Sequence, residues 1–256
     1  MRVVIKVGTS TLTHKNGNLN IRRVEEMCKV IADLKNAGNE IILVSSGAIG
    51  LGVGKLSLKE KPTDIPTKQA AAAIGQCELM YIYDQQFSRY NHTVAQILLT
   101  GEDFEDPVRH ANFSNTLSRL LEMNTLPVIN ENDTIATNEI KVGDNDTLSA
   151  LTAVSAKADL LILLSDIDGL YTADPHKDPN AHLISLVEDI NDDILALAGG
   201  KGSELGTGGM KTKLSAARLC TDNGISMLIL NGADPMRMYD IFEGKPVGTL
   251  FRRKKK

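Results

Sequence analysis

Short apolar runs that stop abruptly at small or polar residues, alternating with stretches of helical spacing, constrain this chain more than any other feature. Val3 to Val7, Glu40 to Val44, Thr93 to Leu99 and Leu126 to Ile129 each read as a short strand. Between the first two, Val24, Met27, Cys28, Ile31 and Leu34 keep the i, i+3, i+4, i+7 spacing of a helix, with Asn20 as its N-cap and Gly38 as its terminator. A long helix follows from Thr67, its small Ala70 to Ala73 face suited to tight packing, and a third covers roughly Val108 to Met123. Strands linked through helices must run parallel, because a parallel pair needs a long crossover. The pattern therefore predicts an α/β fold with a mostly parallel sheet covered by helices on both faces.

The second half continues in the same way. Asp146 to Ala156 reads as a helix, Ala158 to Leu164 (ADLLILL) as the most apolar strand, and helices follow around Asn191 to Ala198 and over Met210 to Asn223. Strands Ser226 to Leu230 and Val247 to Phe251 complete the chain before the basic tail Arg252 to Lys256. Residues 1–251 are expected to form one domain, with 252–256 as a tail.

Composition narrows the function. Aromatics are 4% of 256 residues with no Trp, so base stacking has little to work with, and the formal charge of -4 argues against a general nucleic-acid binder. Without the five terminal charges, 23 basic residues face 32 acidic ones, a balance of -9. An acidic body that handles an anion must concentrate its positive charge locally. The tail RRKKK reads as solvated. Cys28, Cys77 and Cys220 lack C-x-x-C spacing and lie in helical segments among apolar residues, so they read as buried thiols of a reducing compartment. The N-terminus MRVVIKVGTS has no signal-peptide core, and no run of 18 apolar residues occurs. A cytoplasmic protein with no membrane association is expected.

Three strand ends carry chemistry. Lys6 interrupts the β-branched run Val3 to Val7, just before Gly8-Thr9-Ser10, and reads as a charge aimed at a ligand that approaches the backbone at Gly8. The second strand opens onto Ser45-Ser46-Gly47-Ala48-Ile49-Gly50, a small-residue loop at the edge where parallel sheets bind ligands. A P-loop is excluded there, since Leu56 follows Gly54-Lys55 where Ser or Thr belongs. Residues Lys55 to Pro66 read as a polar linker. The apolar strand ADLLILL ends at Ser165-Asp166, and neither Asp166-x-Asp168 nor Asp144-x-Asp146 has the remaining ligands of a calcium loop. Further on, Gly206, Gly208 and Gly209 clear side chains away just before the helix from Met210, leaving backbone N–H groups to face an anion beside Lys211 and Lys213.

Between these ends lies a polar stretch, Ile129 to Ser149, with three Asp, four Asn, two Glu and three Thr. Folding requires no such crowding. The pairs Asn132-Asp133 and Asn145-Asp146 offer acceptors to an ammonium and amide donors to a carboxylate, which suits a zwitterion. Ile135 to Val142 reads as a small hairpin within it.

Taken in order, KVGTS, SSGAIG, INEND, KVGDNDTLSA, LSDIDGLYTADP and GTGGMKTK resemble the amino-acid kinase family, and within it the enzymes that phosphorylate the side-chain carboxylate of glutamate. The resemblance runs from the first strand to GTLF at Gly248 to Phe251. Many members continue from there into a PUA domain, which is not expected in these residues. The resemblance implies a three-layer α/β/α sandwich whose N-terminal part binds L-glutamate and whose C-terminal part binds ATP, with Mg2+ carried on the nucleotide phosphates and no protein metal ligand. By motif position, Lys6, Lys213 and Asp146 would be catalytic, Asp146 holding the two lysines. Ser46, Gly47, Asp133 and Asn145 would bind glutamate. Lys6, Ser165, Asp166, Thr207, Gly208, Gly209, Met210, Lys211, Thr212 and Lys213 would bind the nucleotide. Feedback inhibition by proline and a homo-oligomer, dimer or tetramer, are also implied. The rival readings are another kinase of the fold, acting on N-acetylglutamate or uridylate, and a non-catalytic amino-acid sensor. An acetylated amine has no use for an anionic Asp133, and a sensor should lack one of the phosphate-side lysines.

Overall fold

A computed structural model describes the chain apart from residues 15–17, 59, 61, 137–144, 176, 198–206 and 255–256. Among the described residues eight strands form one sheet in the order β3-β4-β2-β1-β5-β7-β8-β6. They are β1 (Arg2–Val7), β2 (Glu40–Ser45), β3 (Val94–Leu99), β4 (Leu126–Glu131), β5 (Leu160–Ser165), β6 (Leu186–Val187), β7 (Ser226–Asn231) and β8 (Thr249–Phe251). All neighbours are parallel except β7 and β8. Strands β2, β4 and β3 lie on one side of β1 and β5 on the other, so the order reverses at β1. Open parallel sheets bind ligands at such a reversal, beyond the strands' carboxyl ends.

The helices between the strands are α1 (Thr9–Leu12), α2 (Ile21–Asn36), α3 (Ala48–Lys55), α4 (Ile65–Ser88), α5 (Glu102–Glu105), α6 (Pro107–Glu122), α7 (Asn145–Ser155), α8 (Asp192–Leu197), α9 (Thr207–Asp222) and α10 (Met238–Phe242). Alternation along the strands divides the core in two. Val3, Ile5 and Val7 of β1 with Ile41 and Leu43 of β2 pack under α2 and α4, against residues such as Met27, Ile31, Leu79 and Tyr83. Val4, Ile42 and Val44 pack on the opposite face, under α6, α7 and α9, with Phe113, Leu117, Ala150, Ala153 and Ala217. The expected three-layer α/β/α sandwich is therefore present. Asn20 caps α2 by accepting from the Arg23 N–H, and Asp64 and Asp106 do the same for α4 and α6, each ahead of a proline in the first turn.

Several local expectations change. The small-residue segment after β2 is a loop only through Ser46-Gly47, and residues 48–55 form α3. Two glycines make this helix possible in so tight a space. A Cβ on Gly52 would sit 1.8 Å from the Ala71 carbonyl oxygen, and one on Gly75 would sit 1.7 Å from that of Ala48, so α3 and α4 touch backbone to backbone. Cys77 is exposed, contrary to the expectation of three buried thiols, whereas Cys28 and Cys220 are buried. Ala71, Ala72, Gly75, Leu79 and Tyr83 form the packed face of α4, and position 77 falls on its far side. Helix α9 begins at Thr207, so Gly208 and Gly209 belong to its first turn and do not precede it. Most of the hairpin expected over Ile135 to Val142, and Gly206, lie outside the described residues. Of the tail, Arg252 pairs with Glu188 at 2.7 Å and Lys254 with Asp222 at 2.6 Å, so part of its charge is neutralised on the surface. Among the described residues no helix is long and apolar enough to cross a membrane.

Candidate active site

Strand alternation decides where Lys6 points. It follows Val4 by two residues and shares its face, the one covered by α7 and α9. There Lys6 is 8% exposed, and its Nζ lies 2.7 Å from Asp146 Oδ1. Lys213, in the second turn of α9, meets the other carboxylate oxygen, Oδ2, at 3.0 Å and also donates to the Gly209 carbonyl at 3.3 Å. Thr212 Oγ1 donates to the same Gly209 carbonyl at 3.0 Å and lies 3.4 Å from Asp146 Oδ2.

Asp146 itself is fully buried in the first turn of α7, where a negative charge suits the helix dipole. Burial alone would raise its carboxyl, but the charges of Lys6 and Lys213 prevail and hold it below the ordinary aspartate value. One carboxylate thus fixes two ammonium groups from opposite ends of the chain, and the trio keeps a net positive charge. Such a site attracts a polyanion and can stabilise charge that moves between the two lysines.

Next to Asp146, Asn145 is buried and donates from Nδ2 to the Ser45 carbonyl at 2.7 Å and to Asn130 Oδ1 at 2.9 Å. These bonds tie the start of α7 to the carboxyl ends of β2 and β4. Ser46 follows β2 directly, its N–H bonded to the Val7 carbonyl at 3.0 Å, so the ends of β1 and β2 are joined there. Gly47 has φ +99°, a left-handed conformation that a side chain would strain, and its carbonyl accepts the first bond of α3 from Leu51. Asp133 is half-buried in the turn after β4, which Asn132 closes by accepting from the Ala136 N–H at 2.9 Å.

On the other side of β1, Ser165 ends β5, is buried, and donates to Asp166 Oδ1 at 3.1 Å. Asp166 is exposed. Among the described residues neither bonds to the lysine–aspartate trio. The loop beyond is braced by Asp168, which accepts from Asn231 at 2.9 Å and from the Tyr171 hydroxyl at 3.1 Å. In α9, Lys211 is exposed and Met210 packs on the core beneath the helix. Lys6, Ser46, Gly47, Asp133, Ser165 and Asp166 therefore lie at or just beyond the carboxyl ends of β1, β2, β4 and β5, along one edge of the sheet. Lys6, Asp146, Lys213 and Thr212 meet directly, and Asn145 joins them through the chain. Ser165 and Asp166 stand apart.

Sequence reasoning passed over Asn130 and Gln76. Asn130 Nδ2 donates to Gln76 Oε1 at 2.8 Å, and both residues are buried. Asn130 lies inside the polar stretch that drew attention, while Gln76 is the polar interruption in the small-residue face of α4.

Residues 1–231 match the amino acid kinase family. The chain belongs to that family. Among its relatives, the glutamate 5-kinase of Clostridium tetani is 55% identical over 249 residues, covering 97% of this chain and 93% of that one. The glutamate 5-kinase of Listeria innocua is 52% identical over 258 residues, with 99% and 94% covered. That of Caldanaerobacter subterraneus is 53% identical over 251 residues, 98% of this chain and 68% of the longer relative. Among solved structures, the UMP kinase of Ureaplasma parvum superposes with a TM-score of 0.65 at 16% identity, covering 98% of both chains. The UMP kinase of Bacillus anthracis gives 0.64 at 16% identity, over 99% and 96%. At that identity the likeness establishes the fold, which is the amino acid kinase fold expected from the motifs.

Proposed function

We propose that this chain transfers the γ-phosphoryl group of ATP to the side-chain carboxylate of L-glutamate, giving L-glutamyl 5-phosphate and ADP, the first step of proline biosynthesis. The observation that carries this reading is the buried Lys6–Asp146–Lys213 trio directly beside Asn145. The glutamate 5-kinase relatives supply the substrate.

A side-chain carboxylate with an ordinary pKa of about 4.3 is already deprotonated at neutral pH, so the attacking oxygen needs no general base. The obstacle is repulsion between two anions. Unit charges about 4 Å apart repel by roughly 4 kcal/mol at an effective dielectric of 20. Lys6 and Lys213 offset this by flanking the transferring group, and Asp146 keeps them in place so that little reorganisation is needed as charge moves to the leaving oxygen. The half of the sheet from β1 to β4, with Ser46, Gly47, Asp133 and Asn145, holds glutamate. The half beyond β5, with Ser165, Asp166 and the start of α9 from Thr207, Gly208 and Gly209 to Lys213, holds the nucleotide.

Mg2+ fits this arrangement as a passenger on the nucleotide, where it neutralises part of the phosphate charge. Asp146 is committed to two lysines, and no group of three or more His, Cys, Asp or Glu among the described residues could hold a metal. Proline shares the α-carboxylate and cationic nitrogen of glutamate, so the same pocket serves for feedback inhibition. Glutamate should relieve that inhibition, and equal inhibition at all glutamate concentrations would refute a shared pocket. The working form is a cytoplasmic homo-oligomer, dimer or tetramer, and a monomer in light scattering would overturn that part.

The decisive experiment offers ATP with glutamate, N-acetylglutamate, aspartate or uridylate, following ADP release with all four acceptors and trapping the acyl phosphates of the three carboxylates with hydroxylamine. Hydroxamate should form with glutamate at the highest kcat/KM. Preference for another acceptor would replace the substrate assignment.

A further inference from the structure

Gln76 has a buried polar atom that the proposed reaction leaves unused. The residue is 9% exposed on α4, and its Nε2 is a buried donor with no hydrogen-bond partner among the described residues. Its Oε1 begins a line of amides: Asn130 Nδ2 donates to it at 2.8 Å, Asn130 Oδ1 accepts from Asn145 Nδ2 at 2.9 Å, and Asn145 Nδ2 also donates to the Ser45 carbonyl at 2.7 Å. Asn130 Oδ1 accepts as well from the Glu131 backbone N–H at 2.9 Å.

The amide directions in this line are not free to reverse. A backbone N–H only donates and a backbone carbonyl only accepts. The Asn130 atom facing the Glu131 N–H must therefore be oxygen, and the Asn145 atom facing the Ser45 carbonyl must be nitrogen. Asn130 is left with only its amide nitrogen for Gln76, so Gln76 must answer with oxygen, and its own nitrogen is left over. At the far end both hydrogens of Asn145 Nδ2 are used, and only Oδ1, an acceptor, remains for a ligand. A methionine or leucine at position 76 would fill the same volume and spare the unpaired Nε2, but would leave Asn130 Nδ2 without its acceptor. Packing therefore does not account for the glutamine.

We propose that Gln76 is a positioning residue for the acceptor substrate. By accepting from Asn130 Nδ2 it completes the bonds of an amide whose direction the Glu131 N–H already sets, and it holds the Asn130 and Asn145 side chains in place, so that Asn145 presents a carbonyl oxygen to the substrate's α-ammonium. The proposal rests on the glutamate kinase reading and adds to it a residue and a direction. Gln76 reaches this place because Gly75 lets α4 close on α3 beside it.

The test uses Gln76→Met, which removes the oxygen facing Asn130, and Gln76→Glu, which keeps it, in the hydroxylamine assay with the unmodified chain alongside. Gln76→Met should raise the glutamate KM about tenfold with the ATP KM and kcat nearly unchanged, and should lower the melting temperature by a few degrees because Asn130 Nδ2 loses its acceptor. Gln76→Glu buries a carboxylate and should melt lower, but should keep the glutamate KM well below that of Gln76→Met because the oxygen facing Asn130 is retained. Equal rises in both KM values, a lower melting temperature at unchanged glutamate KM, or failure of the Met variant to fold would make Gln76 a structural residue and overturn the proposal. A glutamate KM in the Glu variant as high as in the Met variant would overturn it too. An unmodified chain that forms no hydroxamate from glutamate defeats the kinase reading itself, which is visible in that arm alone.

Discussion

Gly75→Ala sets two physical effects against each other, and their magnitudes decide the sign. Alanine is favoured over glycine inside a helix by about 1 kcal/mol, so propensity alone would make the variant more stable. Contact with α3 acts the other way. The new Cβ would lie 1.7 Å from the Ala48 oxygen, 2.5 Å from the Gly52 nitrogen and 2.7 Å from the Ala48 carbonyl carbon, all of them backbone atoms. Restoring an ordinary 3.4 Å contact with that oxygen means separating the helices by roughly 1.7 Å, because no side chain can rotate out of the way. Overpacking costs about 1–3 kcal/mol where neighbours can adapt, so the upper end applies here, and the net loss is about 2 kcal/mol. For a chain of this size that lowers the melting temperature by roughly 4–8 °C. Ala48 opens α3 directly after Ser46-Gly47, so the glutamate KM should rise as well. Gly50→Ala is the control. Its Cβ would find the Thr9 methyl at an ordinary 3.6 Å, so propensity should prevail and the melting temperature should hold or rise. Differential scanning calorimetry of both variants is the assay. A Gly75→Ala chain that melts at or above the unmodified one would refute the backbone-contact argument.

Four further outcomes are expected. Lys6→Met and Lys213→Met should each lower kcat by about 10²- to 10³-fold with a smaller effect on the glutamate KM, and near-normal turnover in either would remove that lysine from the mechanism. Asp133→Asn should raise the glutamate KM by the equivalent of about 2–5 kcal/mol and leave the ATP KM unchanged, and matched rises in both would misplace the pocket. Asp146 has a depressed folded pKa, so its stabilising contribution is present above the ordinary aspartate value of 3.8 and is lost as pH falls through the lower folded value. The stability gap between the unmodified chain and Asp146→Asn should therefore be full near neutrality and shrink below about pH 3.8 in thermal scans, and a gap constant with pH would deny the ion pairs that role. Maleimide should label the exposed Cys77 first, with Cys28 and Cys220 reacting on unfolding, since burial also pushes the Cys220 thiol up to about 12; early labelling of Cys28 would contradict its burial.

Much of this molecule could be read along the chain because the relevant signals are local. The alternation of apolar runs with 3.6-residue spacing implied a parallel sheet between helices, since period and crossover length are properties of consecutive residues. Lys6 stood out against its apolar neighbours, and the polar stretch against the strands around it. Helix α3 did not stand out, because three glycines in eight residues look like a loop, and the one at 52 is explained only by the backbone of α4. The exposure of Cys77 depended on which side of α4 met α3 and the sheet.

The meeting of Lys6, Asp146 and Lys213 belongs to tertiary structure. It follows from β1 turning Lys6 to the face that α7 and α9 cover, and no local pattern carries that information. The direction of the amides from Gln76 to Asn145 has the same origin. Asparagine and glutamine can face a neighbour with either end, and it was the Ser45 carbonyl and the Glu131 N–H, brought to them by the fold, that selected one.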